Sequence, residues 1–196
     1  AVAALVVETI RDGAQVNINV LNNSTLLAGN GILLDVQGAS TASMNVANSE
    51  LNGNISIADG STGNLNFNQG RMAGDVQVTD STATVAFANG SSLEGNVNFA
   101  GGSNVDLSFD QSQLDSNVQV AGNSTAQMAL NNSTFVGNLN ISEDSTANLT
   151  LNRSQMTGDV VPDGSNTTES VTLENQSQLT GRLDKVKSVN INSQSN

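Results

Sequence analysis

Short runs of alternating apolar and polar residues fill the chain, and they recur at a fixed step. In 64–68 the apolar side chains are Leu65 and Phe67, in 75–79 they are Val76 and Val78, and Met72 stands between the two runs. A period of two is that of a strand with one buried face. The same slots hold Met44, Val46, Leu51, Ile55 and Ile57 one copy earlier, Met128, Leu130, Phe135, Leu139 and Ile141 further on, and then Leu149, Leu151, Met156 and Val160. Five inward positions in three short strands therefore repeat about every 21 residues. The stretches between them are rich in Gly, Asn, Asp and Ser, the residues of turns.

Glycine marks the same lattice. Gly53, Gly74, Gly95, Gly137 and Gly158 lie on a 21-residue step, Ser116 fills the vacant slot, and Gly181 comes two residues late. Such self-similarity is the signature of a solenoid, because a single rung has nothing to bury its apolar face against until identical rungs stack on it. The predicted fold is all-β: a right-handed parallel β-helix of about 9 rungs of about 21 residues, with three short strands per rung. At about 4.8 Å per rung the rod would be on the order of 40 Å long. The chain divides into a lead-in or partial rung over 1–16, regular repeats over 17–181, and a transition toward a missing C-terminal cap over 182–196.

The corners repeat too. Asn48, Gln69, Asn89, Gln111, Asn132, Arg153 and Asn175 follow the first strand of each copy. Amides tolerate left-handed backbone, and repeated at rung spacing they are expected to hydrogen-bond along the axis as a ladder. Extra residues near 89–92 and 175–178, and a longer corner over 161–168, fall between strands, where a coil accommodates them without loss of register.

Charge narrows the partners: 18 acidic and 6 basic side chains with no histidine give a formal net charge of -12. Nucleic acid and anionic membrane surfaces are repelled. The absence of cysteine, tryptophan and tyrosine removes disulfides, thiolate chemistry and most of the aromatic anchors that dominate binding hot spots. The apolar opening Ala1 to Val7 is short, lacks a basic flank and is followed by Glu8. It reads neither as a signal peptide nor as a membrane span, and is expected to be a processed start or a cut through a longer chain. Arg182, Lys185 and Lys187 hold half of all basic residues, which marks the transition near the other end.

Asp75 and Asp159 directly follow the glycine beat, in one column with Asn54, Asn96, Asn117 and Asn138. This polar column is the candidate partner-binding face. No carboxylate pair accompanies a basic or aromatic cluster, as a general acid with a tuned partner requires, so no catalytic residue is assigned. Without histidine and cysteine only oxygen donors remain for a metal, and the nonapeptide repeat of calcium-binding β-rolls is absent. No metal site and no cofactor are expected. Asp59, Asp80, Glu143 and Asp144 read as solvated corner charges that deter lateral association. Asn-x-Ser/Thr triplets such as those at Asn54, Asn89, Asn123 and Asn148 follow from composition.

The copy Ser145-Thr-Ala-Asn-Leu-Thr-Leu-Asn-Arg-Ser-Gln-Met-Thr-Gly-Asp159 lays over the copy that begins at Ser124. In this form the repeat resembles the passenger region of bacterial autotransporters of the pertactin and AIDA-like group, over about 17–196. The tail from Ser177 to Ser193 is similar to the stretch entering the autochaperone rungs of such passengers, after which a membrane β-barrel would follow. The resemblance implies a piece of an outer-membrane protein, displayed on the bacterial cell surface or released by cleavage. It implies a rod serving adhesion, self-association or biofilm formation, with another copy or a host surface molecule as partner and no membrane insertion of this segment. Outward Asn, Ser, Thr and Gln columns give self-association a physical route, each contact weak and the sum useful. The alternatives are an inert stalk presenting a distal domain and, from another class, a glycan-cleaving β-helix. The lack of histidine, tyrosine and tryptophan weighs against the last.

Overall fold

Alternation of period two gives each short segment an apolar side that only a neighbouring copy can cover, and the structure satisfies this by stacking. The computed structural model describes residues 2–5 and 8–196; Ala1, Val6 and Val7 of the apolar opening lie outside the described residues. Among the described residues every regular element is a strand, and the strands pair in parallel. Nine of them stack into one sheet, from Gln15–Val20 to Ser188–Ile191, with eight turns of the coil between the first and the last. At about 4.8 Å per turn the stack is about 38 Å long. The expected parallel β-helix is the observed architecture.

The second sheet has 13 strands and takes the other two strands of each turn. In several turns these are separate, as in Arg71–Ala73 and Val76–Thr79. In Glu50–Ile57, Ser92–Ala100 and Gln113–Val120 they run on as one. The glycine beat is therefore a kink within one sheet. At Gly74 φ is +154° and a Cβ would fall on the Gly53 carbonyl, so neither the backbone nor the space admits another residue there.

Register follows the sequence pattern with two local surprises. Thr41, Thr62, Thr82, Asn104, Thr125, Thr146 and Thr168 align across the nine-stranded sheet. The step from Thr62 to Thr82 is one residue short, because the corner at Asp80-Ser81 lacks a residue. The extra residue near Asn89 restores it, which keeps the glycine lattice in phase. In the first full turn the strand Thr25–Val36 carries extra residues and shifts register between Leu27 and Ile32 and again before Leu34. Here the added residues leave the ladder as a bulge.

The core runs unbroken along the axis. Leu65, Phe67, Met72, Val76 and Val78 are each at most 2% exposed, and their counterparts from Met44 to Leu173 are equally buried, whereas Leu179 and Leu183 are half-buried and Val189 and Ile191 exposed. Phe67, Phe87 and Phe109 form a column of stacked rings with centroids 4.3 and 4.9 Å apart. Burial of each such side chain stabilises the stack by about 1.5–3 kcal/mol. A further inward column, Ala42, Gly63, Ala83, Val105, Ala126 and Ala147, ends at Glu169, which is 2% exposed.

Candidate functional site

The column Asn54, Asp75, Asn96, Asn117, Asn138 and Asp159 lies immediately after the kink. Asp75, Asn96 and Asn117 are exposed, and the other three are half-buried. In five of the six, one side-chain oxygen is occupied within the rod; Asn96 is the exception. Asn54 Oδ1 accepts the N–H of Asp75 at 2.8 Å, Asp75 Oδ1 that of Asn96 at 2.8 Å, Asn117 Oδ1 that of Asn138 at 3.0 Å, and Asn138 Oδ1 that of Asp159 at 2.9 Å. The last link, Arg182 N–H to Asp159 Oδ1 at 2.8 Å, is joined by an ion pair between the two side chains at 3.7 Å. With the Arg182 side chain largely in solvent, this pair adds less than about 1 kcal/mol. The column holds the kink together by compensating for backbone hydrogen bonds that the glycine geometry interrupts.

Ser116 shows what happens without the glycine. Its φ is not positive, its strand alternates without interruption, and its hydroxyl is buried with no partner. It also sits at the turn where the series of side-chain links just described has a gap, between Asn96 and Asn117.

The two other corners are built on buried serines. At the first, the N–H groups of Ser40, Ser61, Ser81, Ser103 and Ser124 donate to the hydroxyls of the next turn's serines at 3.1–3.2 Å. At the second, the same link joins Ser91 to Ser112, Ser112 to Ser133 and Ser133 to Ser154 at 3.0–3.2 Å. The hydroxyls of Ser81, Ser91, Ser103, Ser112, Ser133 and Ser154 in turn donate to a carbonyl of their own corner, as Ser133 does to Asn131 at 2.8 Å. These serines escaped the sequence reading, although their recurrence at nearly the rung step was the available signal.

The amide column differs from its expectation. Asn48, Gln69, Asn89, Gln111, Asn132, Arg153 and Asn175 all have positive φ, between 49° and 58°, and are exposed. They do not bond to one another as a ladder. Asn89 donates to Asn68 at 3.2 Å and Asn175 to Asn152 at 2.7 Å, so the links run to the preceding outward position. Their shared task is the left-handed turn that leads the chain into the serine corner.

The acidic corners hold no cluster. Asp59 and Asp80 are exposed, with left-handed backbone, and among the described residues no group of three or more acidic side chains is placed to hold a metal ion. At the longer corner, the Ser165 hydroxyl and N–H both donate to the Asp163 carboxylate and hold its pKa below the usual value. A depressed folded value contributes stability at neutral pH that is lost as pH falls through it.

Charge is unevenly distributed over the faces. On the seven strands from Thr41–Ala47 to Thr168–Glu174, the outward positions hold Thr, Ser, Asn, Gln and Ala, with charge only at Asp106, Asp110 and Glu174. The nine-stranded sheet thus presents a nearly neutral array of hydroxyls and amides on a strongly acidic molecule. No known protein family matches the chain, and neither does any curated protein or solved structure.

Proposed function

We propose that this rod is a cell-surface segment of the bacterial autotransporter passenger type, acting in adhesion and self-association, with biofilm formation as the consequence. The reading draws on the repeat resemblance, and the observation that carries it is the neutral face of the nine-stranded sheet. Seven-residue strands over seven turns give roughly 700 Å², close to the ~800 Å² per partner of a standard interface. With a net charge of -12, two copies meet least repulsion where that charge is sparse, and this face carries only Asp106, Asp110 and Glu174. The adhesive surface is this sheet, and the Asn54-to-Asp159 column belongs to the scaffold because five of its six residues each give one side-chain oxygen to an N–H of the next turn. On this reading the rod is not an enzyme, and its setting is the outer surface of the cell or, after cleavage, the medium.

The same internal engagement favours one second reading, an inert stalk that holds a distal domain away from the cell. Analytical ultracentrifugation across protein concentration and salt separates the two. A sedimentation coefficient that rises with concentration, and more steeply as salt screens the acidic charge, is the expected result. Strict monomer behaviour throughout, with no clumping of cells that display the segment, identifies the stalk.

A further inference from the structure

Concave surface recurs along one corner of this rod, between the nine-stranded face and the kinked sheet, apart from a depression near Val16, Leu26 and Met44 at the N-terminal end. Three open depressions of about 360, 470 and 420 Å³ follow one another along it. The first two share Arg71, and the third starts at Arg153. Each turn here sets a left-handed residue with an exposed side chain before a small buried residue, serine in most turns, so the corner is recessed between two raised rows. In the central stretch Gln111 and Asn132 form one row, Ser92, Gln113 and Thr134 the other, and Arg71 stands at the end.

The floor of this groove is chemically saturated. Ser112 and Ser133 each donate to a carbonyl, at 2.9 and 2.8 Å, and each accepts an N–H from the turn before. The walls are not. Arg71, Gln111, Asn132 and Arg153 make no side-chain hydrogen bond or ion pair among the described residues. The groove therefore offers donors and acceptors in rows that repeat once per turn, with no aromatic side chain among the residues that line it.

We infer that this groove binds an extended polysaccharide, neutral or sparsely acidic, lying parallel to the rod axis with one sugar ring per turn. The turn spacing of about 4.8 Å is close to the length of one ring in an extended glycan, so successive rings meet equivalent amides and hydroxyls. A peptide strand advances about 3.3 Å per residue and falls out of step with the turns. Nucleic acid is repelled by the net charge of -12. Amides and guanidinium groups are suited to paired hydroxyls, and guanidinium also to an occasional carboxylate. Arg71 and Arg153 stand about four turns apart, roughly 19 Å, while Glu50 lies close to Arg71. This arrangement suits an acidic group on some rings and rejects a densely charged chain. An open groove gives weak contact per ring, and the contacts add along the chain.

The inference deepens the adhesive reading by naming a ligand class and rests on it for its biological setting. Its test uses dilute, monomeric, 15N-labelled rod titrated separately with cellohexaose and a hyaluronan hexasaccharide, so self-association does not enter the readout. Expected are chemical-shift changes at Arg71, Ser92, Gln111 and Asn132 with at least one of the two, cellohexaose identifying a neutral chain and hyaluronan alone an acidic one. A Gln111→Gly, Asn132→Gly double variant, in which glycine retains the left-handed backbone, is expected to bind at least tenfold more weakly. No response to either sugar, responses outside this corner, or unchanged affinity in the double variant overturns the inference, whatever sedimentation shows about self-association.

Discussion

At the scale of the residue, the corners of this coil depend on small side chains that complete backbone hydrogen bonding. Ser133 is 4% exposed, accepts the Ser112 N–H at 3.0 Å and donates to the Asn131 carbonyl at 2.8 Å. Ser133→Ala removes only an oxygen atom but leaves a buried N–H without a partner. The expected loss is about 1–3 kcal/mol, read from urea midpoints at unchanged m-value. A loss under a few tenths of a kcal/mol would mean that water replaces the hydroxyl and that the ladder is incidental. Glycine at the kink, amide at the left-handed corner and serine at the buried corner are thus three separate answers to one problem, turning a chain without orphaning its backbone.

At the scale of the element, each turn is fixed to its neighbours by register, and the last turn is fixed least. Val189 and Ile191 are 40% and 54% exposed. The attachment includes Glu169, which replaces the small residue of its inward column; its Oε1 accepts the Lys187 N–H at 3.0 Å, its Oε2 is buried without a partner, and the Lys187 ammonium donates to the Thr167 carbonyl. Glu169→Ala should speed amide exchange at Lys187 to Ile191 by at least tenfold and leave Leu149 to Leu151 unchanged. Uniform exchange across both segments would show that the carboxylate does not hold the final turn. Much of this level was legible in the chain. Large inward side chains such as Leu65 and Phe67, the kink glycines and the corner insertions were visible because bulk, absence of a side chain and changes of spacing leave marks in a repeat. The column of Ala42, Gly63 and Ala83 was not, since small residues carry no apolar signal, and the missing residue at Asp80-Ser81 was hidden because the insertion at Asn89 cancels it. The residues Asn54 to Asp159 do stack as a column, but sequence could not show that five of the six bond through one side-chain oxygen to the next turn.

At the scale of the molecule, the parts form an acidic rod with one nearly neutral face and one grooved corner. Both surfaces exist because rungs of nearly constant length stack in register, which turns a single outward residue into a row and a single recessed corner into a channel. Any disturbance of stacking would remove the nearly neutral face and the groove together. The most direct test of that stacking uses the chain's own aromatics, since it has five phenylalanines and no other aromatic residue. Selective labelling of phenylalanine and measurement of ring-to-ring nuclear Overhauser effects should connect Phe67 to Phe87 and Phe87 to Phe109, the two stacked pairs, with no direct contact between Phe67 and Phe109. Absence of both contacts, or a direct contact between Phe67 and Phe109, would contradict the parallel, in-register coil on which the whole account stands.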